Sequence, residues 1–133
     1  MVAHLGGPYF AKRDDGWWSI VKGIVEQGET DLEAAGREFR EETGWEPPDR
    51  PWVELGETTL RSRKVVVAYA ADADFDPETL VSELFFIGPR SYPEVDRVEW
   101  MSPDRARIKL NPALAVFVDR LVAHLETRGN ILR

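Results

Sequence analysis

Glu38, Glu41 and Glu42 stand at i, i+3 and i+4, a spacing that lays three carboxylates on one face of a helix. Carboxylates placed so repel one another, and a hard divalent cation removes the repulsion. Mg²⁺ takes oxygen ligands and completes its shell with a few carboxylates and substrate phosphates. Mn²⁺ suits the same oxygens. The chemistry open to such a group is attack by water on a phosphorus atom, which needs neutralised phosphates, an ordered water and a base. The competing reading is a solvated acidic helix face, the usual meaning of a charge run.

The elements that must position these carboxylates are legible on either side. A loop from Gly23 to Glu29 carries two glycines that allow tight backbone turns. Thr30 or Asp31 can then cap a helix, and Thr30 with Glu33 has capping-box spacing. Gly44 is a natural left-handed stop. These signals predict a helix over about residues 31–43, whose Leu32, Ala35, Phe39 and Thr43 share one inward face.

Gly23, Glu29, Arg37, Glu38, Glu41, Glu42 and Gly44, with apolar Phe39 and Trp45, reproduce the full Nudix box at its spacing. Seven fixed identities arise by chance on the order of once in 10⁸ starting points. The segment therefore resembles the Nudix hydrolase family, with Phe39 and Trp45 bulkier than the aliphatic residues usual there. The resemblance implies an α/β/α sandwich with a curved mixed sheet. It also implies hydrolysis of a nucleoside diphosphate linked to a further moiety. By the same resemblance, Glu38 and Glu42 are metal ligands together with the Gly23 carbonyl. The base is either Glu38 or an acid from a later loop, where Glu83, Glu94 and Asp96 are the candidates and Glu94 is preferred. Glu29 and Arg37 are read as an ion pair holding the loop to the helix.

Composition agrees with a metal site and argues against a nucleic-acid surface. The net charge is −7, and eight acids against two arginines lie between Glu26 and Glu46. A duplex binder would instead carry a basic stripe. With 133 residues, 43% apolar, the chain is expected to form one domain over 1–133. There is no cysteine, which excludes disulfides, a thiolate zinc site and a cysteine nucleophile. No apolar run matches a signal peptide or a membrane span, so a cytoplasmic location is expected.

Taken in order, Val2–Leu5 is a strand candidate, followed by the Gly6–Gly7–Pro8 turn. Residues 9–12 and 17–21 are predicted strands around the hairpin signal Asp14–Asp15–Gly16. Trp17 and Trp18 then face opposite ways, one into the core and the other free to stack on a base or to cover the sheet. The run Trp18–Gly23 resembles a bacterial Nudix branch, with Val21 in place of a proline. Strands are predicted at 52–60, 64–71, 81–87 and 94–100, with 88–93 as a loop. Ser102–Pro103 opens a short helix, and Asn111–Pro112 opens the last, over about 112–127. Nudix domains usually have a strand before the one at residues 2–5. Its absence predicts an unsatisfied edge there, and with it a homodimer contact or disorder of residues 1–5.

Lys22, Arg61 and Lys64 are candidates to reach phosphates, with a solvated role as the alternative. His4 and His124 lack partner spacing and are not read as ligands, and Asn111 is read as a cap. No proline stands at 59–60, as in many ADP-ribose hydrolases, and no tyrosine at 61–63, as in some dinucleoside polyphosphate hydrolases. The pre-box motif of coenzyme A hydrolases is missing too. What remains is a nucleoside triphosphate or dinucleoside polyphosphate substrate. The rivals are a non-catalytic Nudix-fold nucleotide sensor, in which box carboxylates are usually lost, and a generic acidic interaction domain.

Overall fold

The computed structural model describes the backbone of residues 1–132 and the side chains of residues 1–128. The elements are β1 (Val2–Leu5), α1 (Asp31–Thr43), β2 (Val53–Thr59), β3 (Val65–Ala70), β4 (Leu84–Ile87), β5 (Arg90–Pro93), β6 (Val95–Glu99), α2 (Pro103–Lys109) and α3 (Ala115–Leu132). A short 3₁₀ turn at Pro77–Thr79 interrupts the acidic loop after β3.

Helix α1 forms where its caps place it. Thr30 Oγ1 accepts from the Glu33 amide at 3.1 Å, and the Glu33 carboxylate accepts from the Thr30 amide at 3.0 Å. Gly44, at φ 76°, ends the helix by donating to the Arg40 carbonyl. The β2–β3 hairpin lies between two helical layers, with α1 packed on β3 and α3 on β2. That is the expected α/β/α sandwich. Its strand layer consists of three antiparallel pairs, β1–β6, β2–β3 and β4–β5. Isolated bridges add Ser19 to Ala3, antiparallel, and Trp18 to Leu110, parallel. An apolar cavity of about 360 Å³ is lined by Val2, Ile20 and Val21 together with residues 67–71. The main core gathers Val2, Trp18, Val66, Ala68, Leu110, Leu114 and Phe117.

Three expectations about strands are corrected. Residues 9–12 and 17–21 do not form a hairpin. The chain after Gly7 closes local turns, Phe10 N–H to Gly7 and Arg13 N–H to Phe10. Asp14 and Asp15 instead hold the Lys109 ammonium, while the buried Trp18 indole donates to Asp14. Those long-range bonds fasten the segment to the end of α2 and leave only the two bridges of strand character. Residues 88–93 are not simply a loop either. Gly88, at φ 59°, and Pro89 make a two-residue turn, and β5 pairs with β4 from Ile87↔Arg90 to Leu84↔Pro93. Residues 81–83, expected as strand, bond instead to the end of α1, Val81 N–H to Thr43 and Glu83 N–H to Glu41.

The edge expected at β1 is satisfied. β6 pairs along one side, and on the other Ala3 and Ser19 exchange both backbone hydrogen bonds, at 2.7 and 2.8 Å. Residues 2–5 are thus paired on both sides, and the reason offered for a homodimer contact along this strand does not hold.

Candidate active site

The loop before α1 is folded around one guanidinium. Arg37 donates through Nε to Glu29 Oε2 at 2.8 Å and through Nη2 to Glu29 Oε1 at 3.0 Å, a fork-to-fork pair. Nη2 also reaches the Ile24 carbonyl at 2.9 Å, and Nη1 reaches Glu38 and Glu41 at 2.8 and 3.1 Å. The Arg37 hydrogen bonds, with help from the Glu26 amide, hold the Glu29 carboxyl below its ordinary range. One cation thus ties the loop to the helix and neutralises part of the acidic face.

Glu42 is on the other side of Glu38, away from Arg37's reach. Burial first, then the charges of Glu38 and Glu94, push its carboxyl up to about 8, against a smaller opposing effect of the Lys22 amide and ammonium. Glu94 is raised as well, by burial and by Glu83 and Glu38. Both shifts have the same physical cause: carboxylates facing one another in partial burial with too little positive charge between them. Glu94 reaches the cluster because its amide donates to the Glu83 carbonyl at 2.9 Å, while the Glu83 amide donates to the Glu41 carbonyl at 2.7 Å.

Gly23 completes the arrangement. Its backbone runs so close to Glu38 that a methyl group there would overlap the carboxylate. A side chain here would displace the Glu38 carboxylate from its place against the loop.

The NUDIX domain family model matches residues 8–121 of the chain. The chain belongs to the Nudix family. No curated protein matches it. As a Nudix domain it has the general activity of the family, hydrolysis of nucleoside diphosphate derivatives, with a small nucleotide-type molecule as substrate. Nudix enzymes generally use divalent metals such as Mg²⁺. Among the described residues, no three His, Cys, Asp or Glu side chains converge on one point closely enough to hold an ion. Glu38 and Glu41 each spend an oxygen on Arg37 instead. The donor chemistry nevertheless fits a hard cation: every side-chain ligand on offer is a carboxylate, the Gly23 backbone lies against Glu38, and neither Glu42 nor Glu94 forms an ion pair among the described residues.

The Nudix box residues Gly23, Glu29, Arg37, Glu38, Glu41 and Glu42 are thus brought together, and Glu94 joins them. Other candidates fall away. Trp18 is 2% exposed in the core and is corrected from possible substrate contact to packing residue. Trp17 is exposed, but Arg13 occupies a face of its ring at 4.2 Å. Lys64 is exposed where the turn between β2 and β3 closes, its carbonyl accepting from Leu60, and it makes no ion pair among the described residues. Asp96 is committed elsewhere, to His4 at 2.7 Å. One neighbour of the site escaped the sequence reading. Glu26 lies 3.7 Å from Arg37.

Proposed function

We propose that this Nudix domain, acting as a single unit over residues 1–133, hydrolyses a nucleoside triphosphate or a dinucleoside polyphosphate. Water attacks a phosphorus of the pyrophosphate linkage and the anhydride P–O bond breaks. The observation that supports the reading is the helix face of Glu38, Glu41 and Glu42, with the Gly23 backbone against Glu38 and Arg37 tying Glu38 and Glu41 to Glu29. A structural acidic surface would spread such charges into solvent.

Glu38, Glu41, Glu42 and the Gly23 carbonyl are the groups that would hold Mg²⁺ or Mn²⁺. The ion supplies charge neutralisation on the phosphates and lowers the proton affinity of water. With its carboxyl pushed up to about 8, Glu42 would hold a cation only after losing its proton. Glu94 is assigned as proton acceptor: its raised affinity brings it closer to neutral pH, and no basic side chain pairs with it among the described residues. Glu38 is less suited, because one of its oxygens is already occupied by Arg37 at 2.8 Å. Arg37 and Glu29 hold the loop and place Gly23 against the helix. Lys22 serves as a charge beside Glu42.

Product analysis with Mg²⁺ across nucleoside triphosphates, dinucleoside polyphosphates, ADP-ribose and coenzyme A tests the assignment. The first two are expected to turn over fastest. ADP-ribose preferred by about tenfold in kcat/KM, which is about 1.4 kcal/mol of transition-state binding, would overturn the substrate class. Near wild-type hydrolysis by Glu38→Gln, Glu41→Gln and Glu42→Gln alike would overturn the site.

A further inference from the structure

We propose that Ser82 is a positioning residue for Glu94: its hydroxyl holds the backbone that presents this carboxylate to the acidic face of α1. The inference rests on the reading of Glu94 as proton acceptor given above and deepens it. Glu94 joins two strands, following β5 (Arg90–Pro93) and preceding β6 (Val95–Glu99), and belongs to neither ladder. Pro93 before it has no amide with which to anchor the junction. The anchors come instead from a separate segment. The Glu94 amide donates to the Glu83 carbonyl at 2.9 Å. The next amide, of buried Val95, donates to Ser82 Oγ at 3.0 Å, and that hydroxyl donates in turn to the Glu83 carbonyl at 3.3 Å. Among the described residues, no other side chain hydrogen-bonds to the backbone of residues 93–95.

The segment that carries Ser82 is itself fastened to the helix that carries the carboxylates. An α-helix leaves its last carbonyls without intrahelical donors. Two of those of α1 are taken here, Thr43 by the Val81 amide at 2.9 Å and Glu41 by the Glu83 amide at 2.7 Å. Ser82 thus lies between two residues pinned to the end of α1, and its side chain reaches across to the junction. The Gly6 amide adds a bond to the Glu94 carbonyl at 3.0 Å, at a place where a Cβ would overlap the Pro93 carbonyl. Glu94 is thereby set in register with the helix whose Glu38 and Glu42 it faces. Register matters because a misplacement of about 1 Å at a reacting group costs about 10²-fold in rate. Ser82 acts only through Glu94.

The test compares Ser82→Ala with Ser82→Thr, which keeps a hydroxyl, by kinetics with a nucleoside triphosphate and Mg²⁺ and by amide hydrogen exchange. Ser82→Ala is expected to lower kcat roughly ten- to a hundredfold, with KM within about twofold of wild type. Ser82→Thr should keep most of kcat. Placed on Glu94→Gln, Ser82→Ala should cause little further loss, because both changes remove one group from its task. Exchange at Glu94 and Val95 should quicken roughly tenfold, the size of one lost hydrogen bond, with the α1 amides unchanged. If Ser82→Ala folds poorly, Ser82→Cys keeps the shape with a weak acceptor and is expected to show the same loss. Wild-type kcat in a folded Ser82→Ala or Ser82→Cys, or a loss that multiplies with that of Glu94→Gln, overturns the proposal. Wild-type kcat in Glu94→Gln, with faster exchange at Val95 in Ser82→Ala, would refute the acceptor reading and leave the clamp on this junction standing.

Discussion

At the scale of residues, one carboxyl records the state of the whole cluster. Glu42 keeps its proton to about 8 in the folded protein, whereas an ordinary glutamate releases it near 4.5. The folded state therefore binds more protons than the unfolded chain between those values, and by linkage stability falls as pH rises through that window. Glu42→Gln removes the contribution. Melting temperatures in chelator are expected to drop more steeply from pH 5 to pH 8 in the wild type than in the variant, and parallel curves would contradict this. The proton acceptor is separable from the ligands by a second pair of variants. Glu94→Gln should lower kcat about 10²–10³-fold without recovery at high Mg²⁺, the size of a lost transition-state contact. Glu38→Gln should recover in part as Mg²⁺ is raised. The opposite pattern would move the base to Glu38.

At the scale of elements, α1 is held at both ends by different chemistry. Its start is fastened to the loop through Arg37 and Glu29, so Arg37→Ala should lower the melting temperature and the activity together. Glu29→Gln should do the same, and the double variant should add little, since both changes remove one contact. Additive losses in differential scanning calorimetry would show that the two side chains act separately. The helix end is covered by aromatic residues. Phe75, from the acidic loop after β3, stacks on Trp45 at 4.6 Å with the planes 3° apart, and lies 5.5 Å from Phe39. The Trp45 indole donates to Thr79, and the Trp100 indole donates to the Phe75 carbonyl. The bulky residues at 39 and 45 thus have partners that pin this loop over the helix. Phe75→Ala should cost roughly 2 kcal/mol through lost aromatic contact, or about 4–8 °C in melting temperature for a domain of this size. A change under one degree would show that the loop is held by its hydrogen bonds alone.

For the whole molecule, the decisive quantity is uneven charge. Nearly all of the net −7 lies between Glu26 and Glu46, and the structure leaves Glu38, Glu41 and Glu42 of that segment partly buried. Anything that binds the folded cluster and not the unfolded chain stabilises the protein by mass action. Millimolar Mg²⁺ should therefore raise the melting temperature, more at pH 8 than at pH 5 because Glu42 must lose its proton to bind. Equal shifts from Mg²⁺ and from Na⁺ at matched ionic strength would point to screening rather than a site.

What the sequence by itself determined is whatever depends on near neighbours along the chain. The ends of α1, the carboxylate spacing of Glu38, Glu41 and Glu42, and the β2–β3 hairpin follow from capping, helical period and alternation, each settled within a few residues. Only the tertiary structure decided what depends on partners far away in sequence. Residues 9–12 and 17–21 carried every local hairpin signal, yet Lys109 captured Asp14 and Asp15 from more than ninety positions away. Glu94 was one of three later acids until the Glu83 and Glu41 backbones brought it beside Glu42. A burial or a charge balance is a sum over neighbours in space, and no local stretch of sequence contains it.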